Sequence, residues 1–209
     1  MPLDLFIPTY FPDILQMSAL VQSDNIVFEV CDNYQKQTLR NRTYIAHAQG
    51  TLAMFVPVKH NKTKGRQKTK MVQSESAFGW AANHWKSLQT AYRTAPFFEF
   101  YEDDLKDLFD SESIFLQQHN LAIIERLMEL IGQEFNYSKT EAYQTDFPGR
   151  DWRRYGESKR NSPVNFPEYT QVFQNMNEFI ANCSVLDALF NLGPQTLTYL
   201  KSIPLQDLT

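Results

Sequence analysis

The chain lacks long hydrophobic runs and is poor in cysteine and glycine. None of its apolar stretches approaches the roughly 18 residues of a membrane-spanning helix, so we expect no membrane span. The first residues have no basic start before a hydrophobic run, and we therefore expect a cytoplasmic protein. Two cysteines, Cys31 and Cys183, are too few for a disulfide framework. With 7 glycines among 209 residues, a collagen-like or linker-like chain is excluded.

Motifs for the common cofactors are also missing. The four histidines have neither H-x-x-x-H spacing nor a cysteine at zinc spacing, so we predict no metal site. The sequence contains no G-x-G-x-x-G, G-x-x-x-x-G-K-S/T or G-x-S-x-G motif, which argues against dinucleotide-binding, P-loop and α/β-hydrolase proteins. The cofactor, if there is one, is therefore unknown from the sequence.

The composition is typical of a globular protein. Hydrophobic residues make up 43% of the chain and aromatic residues 14%, which excludes a disordered polypeptide. A length of 209 residues suits one domain with a sizeable core, so we expect a single domain over residues 1–209.

Positive charge is concentrated in two segments of an acidic chain. The formal net charge is -4, yet residues 59–70 contain six lysines or arginines and no acid. Residues 150–160 contain five cations against two acids. Local basic segments of this kind suit a small anion better than a nucleic-acid duplex, which usually selects a basic face, so general nucleic-acid binding is not expected. The alternative for residues 59–70 is a solvated loop without a ligand.

The order of elements favours an α/β fold, with a mixed sheet in the N-terminal part and a largely helical C-terminal half. Short strands are predicted at residues 6–10 and 25–30 from their β-branched and aromatic content. Residues 43–58 predict a hairpin whose turn lies at Gln49 and Gly50.

Apolar residues recur at helical spacing further along the chain, and residues 145–168 are expected to form a long irregular loop that could act as a lid. Capping residues and prolines set the helix ends. The first predicted helix starts at Asp13. The others cover residues 81–95, residues 112–131 with Ser111 as N-cap, residues 184–192 and residues 194–201.

The richest polar segment, residues 32–42, follows directly on the second predicted strand. Ligands of open α/β sheets bind beyond the carboxyl ends of the strands, so Lys36, Arg40 and Arg42 are well placed to hold an anion. The alternative is a polar crossover whose cations pair with the acids of residues 99–112.

A second candidate is His84, which shares one predicted helical face with Trp80, Leu88 and Tyr92. A histidine among aromatic rings can act as a general base near neutral pH. The structural alternative is a core histidine with one satisfied hydrogen bond. Ser184 and the acid three residues later fit a capping box, so we assign that serine to a helix start and not to catalysis.

An ordered set of strings over nearly the whole chain resembles the WbqC-like family of bacterial proteins. These strings are PTYF at residues 8–11, Asp32 with YQKQ at 34–37 and RNR at 40–42, PV at 57–58, Trp80 with HW at 84–85, AYR at 91–93 with PFF at 96–98, YTQVF at 169–173, and SVLD at 184–187 with FNLGP at 190–194. Cys31 departs from the more polar stretch expected in relatives at that point.

The resemblance implies one WbqC-like domain over residues 1–209 and a role in bacterial surface-polysaccharide synthesis, such as that of O-antigen. It suggests a transferase that moves an acyl or aminoacyl group, with glycine as one candidate, onto a nucleotide-linked sugar. The polar positions of the family fall here on Lys36, Arg40, Asn41, Arg42 and His84.

The leading hypothesis is therefore a cytoplasmic transferase whose small anionic substrate is a nucleotide sugar or an acyl donor. Residues 36 and 40–42 would bind the phosphates or a carboxylate, Trp80 and Tyr92 would stack on the substrate, and His84 would accept the proton. The competing hypothesis is a non-enzymatic binding module for an anionic ligand or a partner protein. Convergence of His84 with Lys36 and Arg40 around one cleft would favour the enzyme, and a buried, separate His84 would favour the module.

Overall fold

A computed structural model describes residues 2–59, 65–111, 113–157 and 164–205, together with Leu208. Its strands are β1 (Asp4–Phe6), β2 (Ile26–Phe28), β3 (Arg42–His47), β4 (Gly50–Phe55), β5 (Tyr137–Lys139) and β6 (Arg150–Asp151). Its α-helices are α1 (Ile14–Val21), α2 (Trp80–Tyr92), α3 (Phe98–Lys106), α4 (Leu116–Leu130), α5 (Val185–Leu192) and α6 (Thr196–Ser202).

The predicted α/β class is confirmed, with the strands divided between two sheets. Four strands form a parallel sheet in the order β5-β2-β1-β6, and β3 and β4 form a separate antiparallel hairpin. Helices α5 and α6 make the C-terminal region helical, as predicted. Since all four strands of the larger sheet are parallel, the loops that follow them emerge at one common edge.

Helix α1 lies at the centre of the packing. All eight of its residues are buried, and it contacts both α5 and α6. Because even its two polar residues, Gln16 and Ser18, are buried, the helix has no solvent-facing polar face, and its sequence shows little alternation of polar and apolar faces. The predicted start is confirmed, because the Asp13 side chain accepts a hydrogen bond from the Gln16 N–H at 2.9 Å.

The prediction for the start of α4 is wrong. The helix begins at Leu116, whereas Ser111 donates its hydroxyl hydrogen to the Ser113 carbonyl. The chain before Leu116 pairs instead with residues 72–74, through hydrogen bonds such as Ile114 N–H to the Ser74 hydroxyl at 2.8 Å. This long-range pairing holds the segment extended and so overrides the local capping signal.

The irregular loop predicted for residues 145–168 also contains regular structure. β6 adds to the edge of the parallel sheet, and a 3-10 turn follows at Arg153–Gly156. The Arg150 guanidinium donates to both carboxylate oxygens of Asp4, at 2.5 and 2.6 Å, which fastens this strand to β1. The part of the proposed lid at residues 158–163 lies outside the described residues, as do residues 60–64 of the first basic segment.

A buried carboxylate connects α5 to the rest of the molecule. Ser184 caps the helix as predicted, but Asp187 is fully buried and does not face the cap. It accepts hydrogen bonds from the hydroxyls of Tyr92 and Tyr169, at 2.9 and 2.6 Å, and from the Gln171 amide at 2.7 Å. Burial raises the pKa of this carboxyl group, and the three hydrogen bonds act in the opposite direction.

Removal of this carboxylate should destabilise the fold. Asp187→Ala leaves two buried hydroxyls and one buried amide without their acceptor, so we expect a loss of about 3 kcal/mol or more in the free energy of unfolding. Chemical denaturation measures this loss. Asp103→Ala, at an exposed position of α3, is the matched control and should change the stability by less than about 0.5 kcal/mol. Equal stabilities of the two variants would contradict the structural role of Asp187.

Candidate functional site

A polar cleft of about 640 Å³ opens at the edge where the parallel strands end. Residues that follow three of the strands line it: Asp32 after β2, Tyr143 after β5, and Arg153 after β6. In open α/β sheets, ligands bind at this edge. The charged residues of this polar cleft are the arginines Arg40, Arg66, Arg153 and Arg154 and the acids Asp32, Asp151 and Glu157.

Asp32 and Arg40 form a buried ion pair in the wall of the polar cleft. Oδ2 of Asp32 accepts a hydrogen bond from Nε of Arg40 at 2.9 Å and lies 2.8 Å from its Nη2, and both side chains are about 95% buried. The other oxygen, Oδ1, is buried and has no hydrogen-bond partner among the described residues. Buried polar atoms of this kind are rare in folded proteins and call for an explanation.

Arg153 lines the polar cleft from the segment that follows β6. Its guanidinium donates to both oxygens of Asp151, and its Nη1 donates to the Gln144 carbonyl at 2.7 Å. The pKa of Asp151 is lowered: its burial acts to raise it, and the hydrogen bonds and positive charge of Arg153 outweigh that effect. Arg153 and Asp151 therefore act as a fixed pair of opposite charges.

A second cleft, of about 500 Å³, lies beside the polar cleft and carries positive charge only. Lys36, Arg42, Lys59 and Arg66 line this cationic cleft, and no acid is among the described residues that do so. Asn41 lines it as well. Two buried polar atoms here, Asn41 Oδ1 and Arg42 Nε, have no hydrogen-bond partner within the described part of the chain.

The two clefts share Tyr34 and Arg66. Burial raises the pKa of the Tyr34 phenol, and the positive charges of Arg42 and Arg40 act in the opposite direction, so both guanidinium groups lie close to this ring. Arg66 is positioned by backbone pairing of its segment with residues 32–34, including a 2.8 Å bond from Tyr34 N–H to the Gln67 carbonyl. The polar and cationic clefts are thus neighbours around one tyrosine.

His84 and Trp80 lie elsewhere, on a mainly apolar cleft of about 430 Å³ between β4 and α2. His84 is 6% exposed, its Nδ1 lies 2.8 Å from the Tyr10 hydroxyl, and its ring also interacts with the backbone of Phe55. Trp80 packs edge-on against it at 5.4 Å. The catalytic role of His84 therefore stays a prediction, now attached to a different cleft from that of Lys36.

Tyr92 is fully buried in the core. Its hydroxyl donates to Asp187 and accepts from the Ala46 N–H at 3.2 Å. The structure thus brings together Lys36, Asn41 and Arg42 on the cationic cleft, with Arg40 on the adjoining polar cleft. It does not bring His84, Trp80 or Tyr92 to either one.

The sequence predicted a role for the two basic segments in anion binding but did not single out the individual residues of these segments that line the clefts. Arg66, Arg153 and Arg154 belong to the basic segments that the charge pattern identified, but their convergence with Asp32 depends on the strand order. The position after a parallel strand is a signal for Arg153 and Arg154, which follow β6, but Arg66 follows the antiparallel hairpin and carries no such signal.

No group of three or more histidine, cysteine, aspartate or glutamate side chains among the described residues could hold a metal ion. In the same part of the chain, no helix is long and apolar enough to cross a membrane.

These features define an α/β protein with charged, ligand-sized clefts at the carboxyl edge of a parallel sheet. The chain belongs to the WbqC-like protein family, whose model matches residues 8–155. This membership suggests a role linked to polysaccharide-biosynthesis genes. No curated protein and no solved structure matches the chain. The matched region includes Asp32, Arg40, Arg42 and Arg153, and thus most of both clefts.

The buried histidines should make stability depend on pH. Burial lowers the pKa of His84 to about 4, so the folded protein binds this proton less readily than the unfolded chain does. Neutral His84 therefore contributes to the free energy of unfolding. This contribution is complete above the ordinary histidine pKa of about 6.5, and about 3 kcal/mol of it is lost as the pH drops towards 4. His119, whose pKa burial also lowers to about 4, acts in the same direction.

Denaturation at a series of pH values between 7 and 4 tests this, and the change in unfolding free energy should be smaller in His84→Gln. An unaltered pH dependence in the variant would contradict the burial-induced shift of His84.

Proposed function

We propose that this protein is a transferase of surface-polysaccharide synthesis that binds the phosphates of a nucleotide-linked sugar in the cationic cleft. The group transferred to the sugar would be an acyl or aminoacyl group, with glycine as one candidate. The supporting observation is the lining of the cationic cleft, where Lys36, Arg42, Lys59 and Arg66 meet with no acid among the described residues.

The positive charges of four side chains around one cleft repel one another, and a bound anion would offset this repulsion. A diphosphate carries several negative charges on a compact group, and its oxygens accept hydrogen bonds from lysine and from the forked arginine side chain. The unpartnered Nε of Arg42 is a donor that such an oxygen can satisfy. The cleft volume of about 500 Å³ falls within the range of small-molecule sites, about 300 to 1,000 Å³.

The charge distribution also supports a small ligand over nucleic acid. The chain as a whole has a net charge of -4, and seven of its 20 lysines and arginines line the two clefts. A duplex would meet acidic surface outside this area, whereas a diphosphate would contact only the cationic part.

A non-enzymatic binding module is the second candidate. It is favoured by the separation of His84 from Lys36 and Arg40, since no histidine is among the described residues that line the polar or the cationic cleft. Mass spectrometry distinguishes the two functions. A nucleotide sugar incubated with a panel of acyl-CoA thioesters and activated glycine should gain the mass of the transferred group if the protein is a transferase, and stay unchanged if it only binds.

Binding is tested by isothermal titration calorimetry with uridine, thymidine, cytidine and guanosine diphosphates and with inorganic pyrophosphate. We expect Lys36→Ala to weaken the binding of these anions about threefold to tenfold, because it removes one positive charge from an exposed site. Lys86→Ala makes the same charge change at an exposed position of α2 and is the matched control. Equal affinities in the two variants, or no binding by the unaltered protein, would refute the phosphate site.

A further inference from the structure

We propose that the polar cleft binds the sugar of the same substrate and that Asp32 accepts a hydrogen bond from a hydroxyl or amine of the sugar through its Oδ1. This inference rests on the proposed function and assigns a distinct part of the substrate to each cleft.

The first argument is the contrast in charge between the two clefts. Among the described residues, the cationic cleft carries positive charge alone, as suits a diphosphate, whereas the polar cleft combines four arginines with three acids. A sugar ring is uncharged, and its hydroxyls both donate and accept hydrogen bonds, so it needs donors and acceptors on the surrounding walls. Asn33, Gln35 and the tyrosines at 34 and 143 add further partners of both kinds.

The second argument is the continuity of the two clefts. Tyr34 and Arg66 line both, so a ligand can extend from one into the other without leaving the protein surface. A diphosphate joins a nucleoside to a sugar, and each part then meets a surface that matches its charge. With Lys36 and Arg42 on the phosphate, the sugar reaches Arg40 and Asp32 past the shared tyrosine.

The third argument is the state of Asp32. Arg40 occupies one carboxylate oxygen, and this pair is rigid because Thr38 accepts a further hydrogen bond from Arg40 at 3.3 Å. The remaining oxygen, Oδ1, has no donor among the described residues although it is buried in a side chain that lines the polar cleft. A carboxylate oxygen is an acceptor only, so its missing partner must carry a hydrogen. A sugar hydroxyl or amine fits this requirement.

The test compares two affinities for each variant, that for uridine diphosphate and that for a panel of uridine diphosphate sugars. The dissociation constant of uridine diphosphate divided by that of the uridine diphosphate sugar measures how much the sugar adds to the affinity. We expect Tyr143→Ala to lower this ratio about fivefold or more with little change in diphosphate binding, because Tyr143 is exposed and lines only the polar cleft. Lys36→Ala should leave this ratio unchanged, because it weakens the binding of uridine diphosphate and of its sugars by the same factor.

Asp32→Asn tests the acceptor itself. Asparagine has the shape of aspartate and keeps one oxygen that can accept from Arg40, but an NH2 donor replaces the other oxygen. The gain in affinity that the sugar provides should therefore fall about tenfold or more. A melting curve shows whether this variant is folded, and Tyr143→Ala keeps the test decisive if it is not. Phe100→Ala, an exposed aromatic residue on α3, is the control for loss of an aromatic side chain.

Each outcome separates the two proposals. If the unaltered protein binds uridine diphosphate but gains no affinity from any sugar, or if the gain persists in Tyr143→Ala, the sugar site is wrong and the phosphate site stands. If no diphosphate binds, the proposed function fails and this inference fails with it.

Discussion

The polar cleft depends on one buried carboxylate, that of Glu29, which directly follows β2. Its Oε1 accepts from the Cys31 N–H at 2.7 Å and the Thr140 hydroxyl at 2.8 Å, and its Oε2 accepts from the Gln144 N–H at 2.9 Å. Arg153 lies 3.7 Å from Oε2. Burial of an ionised carboxylate is costly unless hydrogen bonds and a counter-charge offset it, and here the partners come from the segments after β2, β5 and β6. One side chain thus fixes the three segments that form the walls.

The features that could be predicted from the sequence arise from local chemistry. Asp13 stands directly before an apolar run and satisfies an N–H of the first turn, and the predicted hairpin forms, although its turn lies at residues 48–49 and Gly50 already belongs to β4. The order of strands and helices was sufficient to predict the α/β class, and the ordered set of short sequence strings was sufficient to predict the family. Residues 36 and 40–42 could be proposed as a site because they follow a strand immediately and carry the donors that bind an anion.

The features that could not be predicted depend on contacts between distant segments. The start of α4 is displaced because residues 72–74 pair with the chain before it, and β6 forms because a two-residue strand finds an edge next to β1. The candidate site divides for the same reason. The sequence places His84 on a helical face but does not show what that face contacts. The apolar cleft at His84 is formed by α2 and β4 together, and this packing is not visible in the sequence. Helical spacing predicts which side chains share a face but not what that face meets.

The separation of charge in this molecule follows from the parallel sheet. Its four strands end at one edge, so arginines that are far apart in sequence, Arg40 and Arg153, converge there although the chain is acidic overall. Each of these two is held by an acid, Asp32 or Asp151, which limits repulsion and keeps the polar cleft near neutrality. The cationic cleft beside it has no such acid among the described residues. Its positive charge is therefore available to an anion, and under the proposed function this attraction would orient an elongated ligand before its uncharged end is bound.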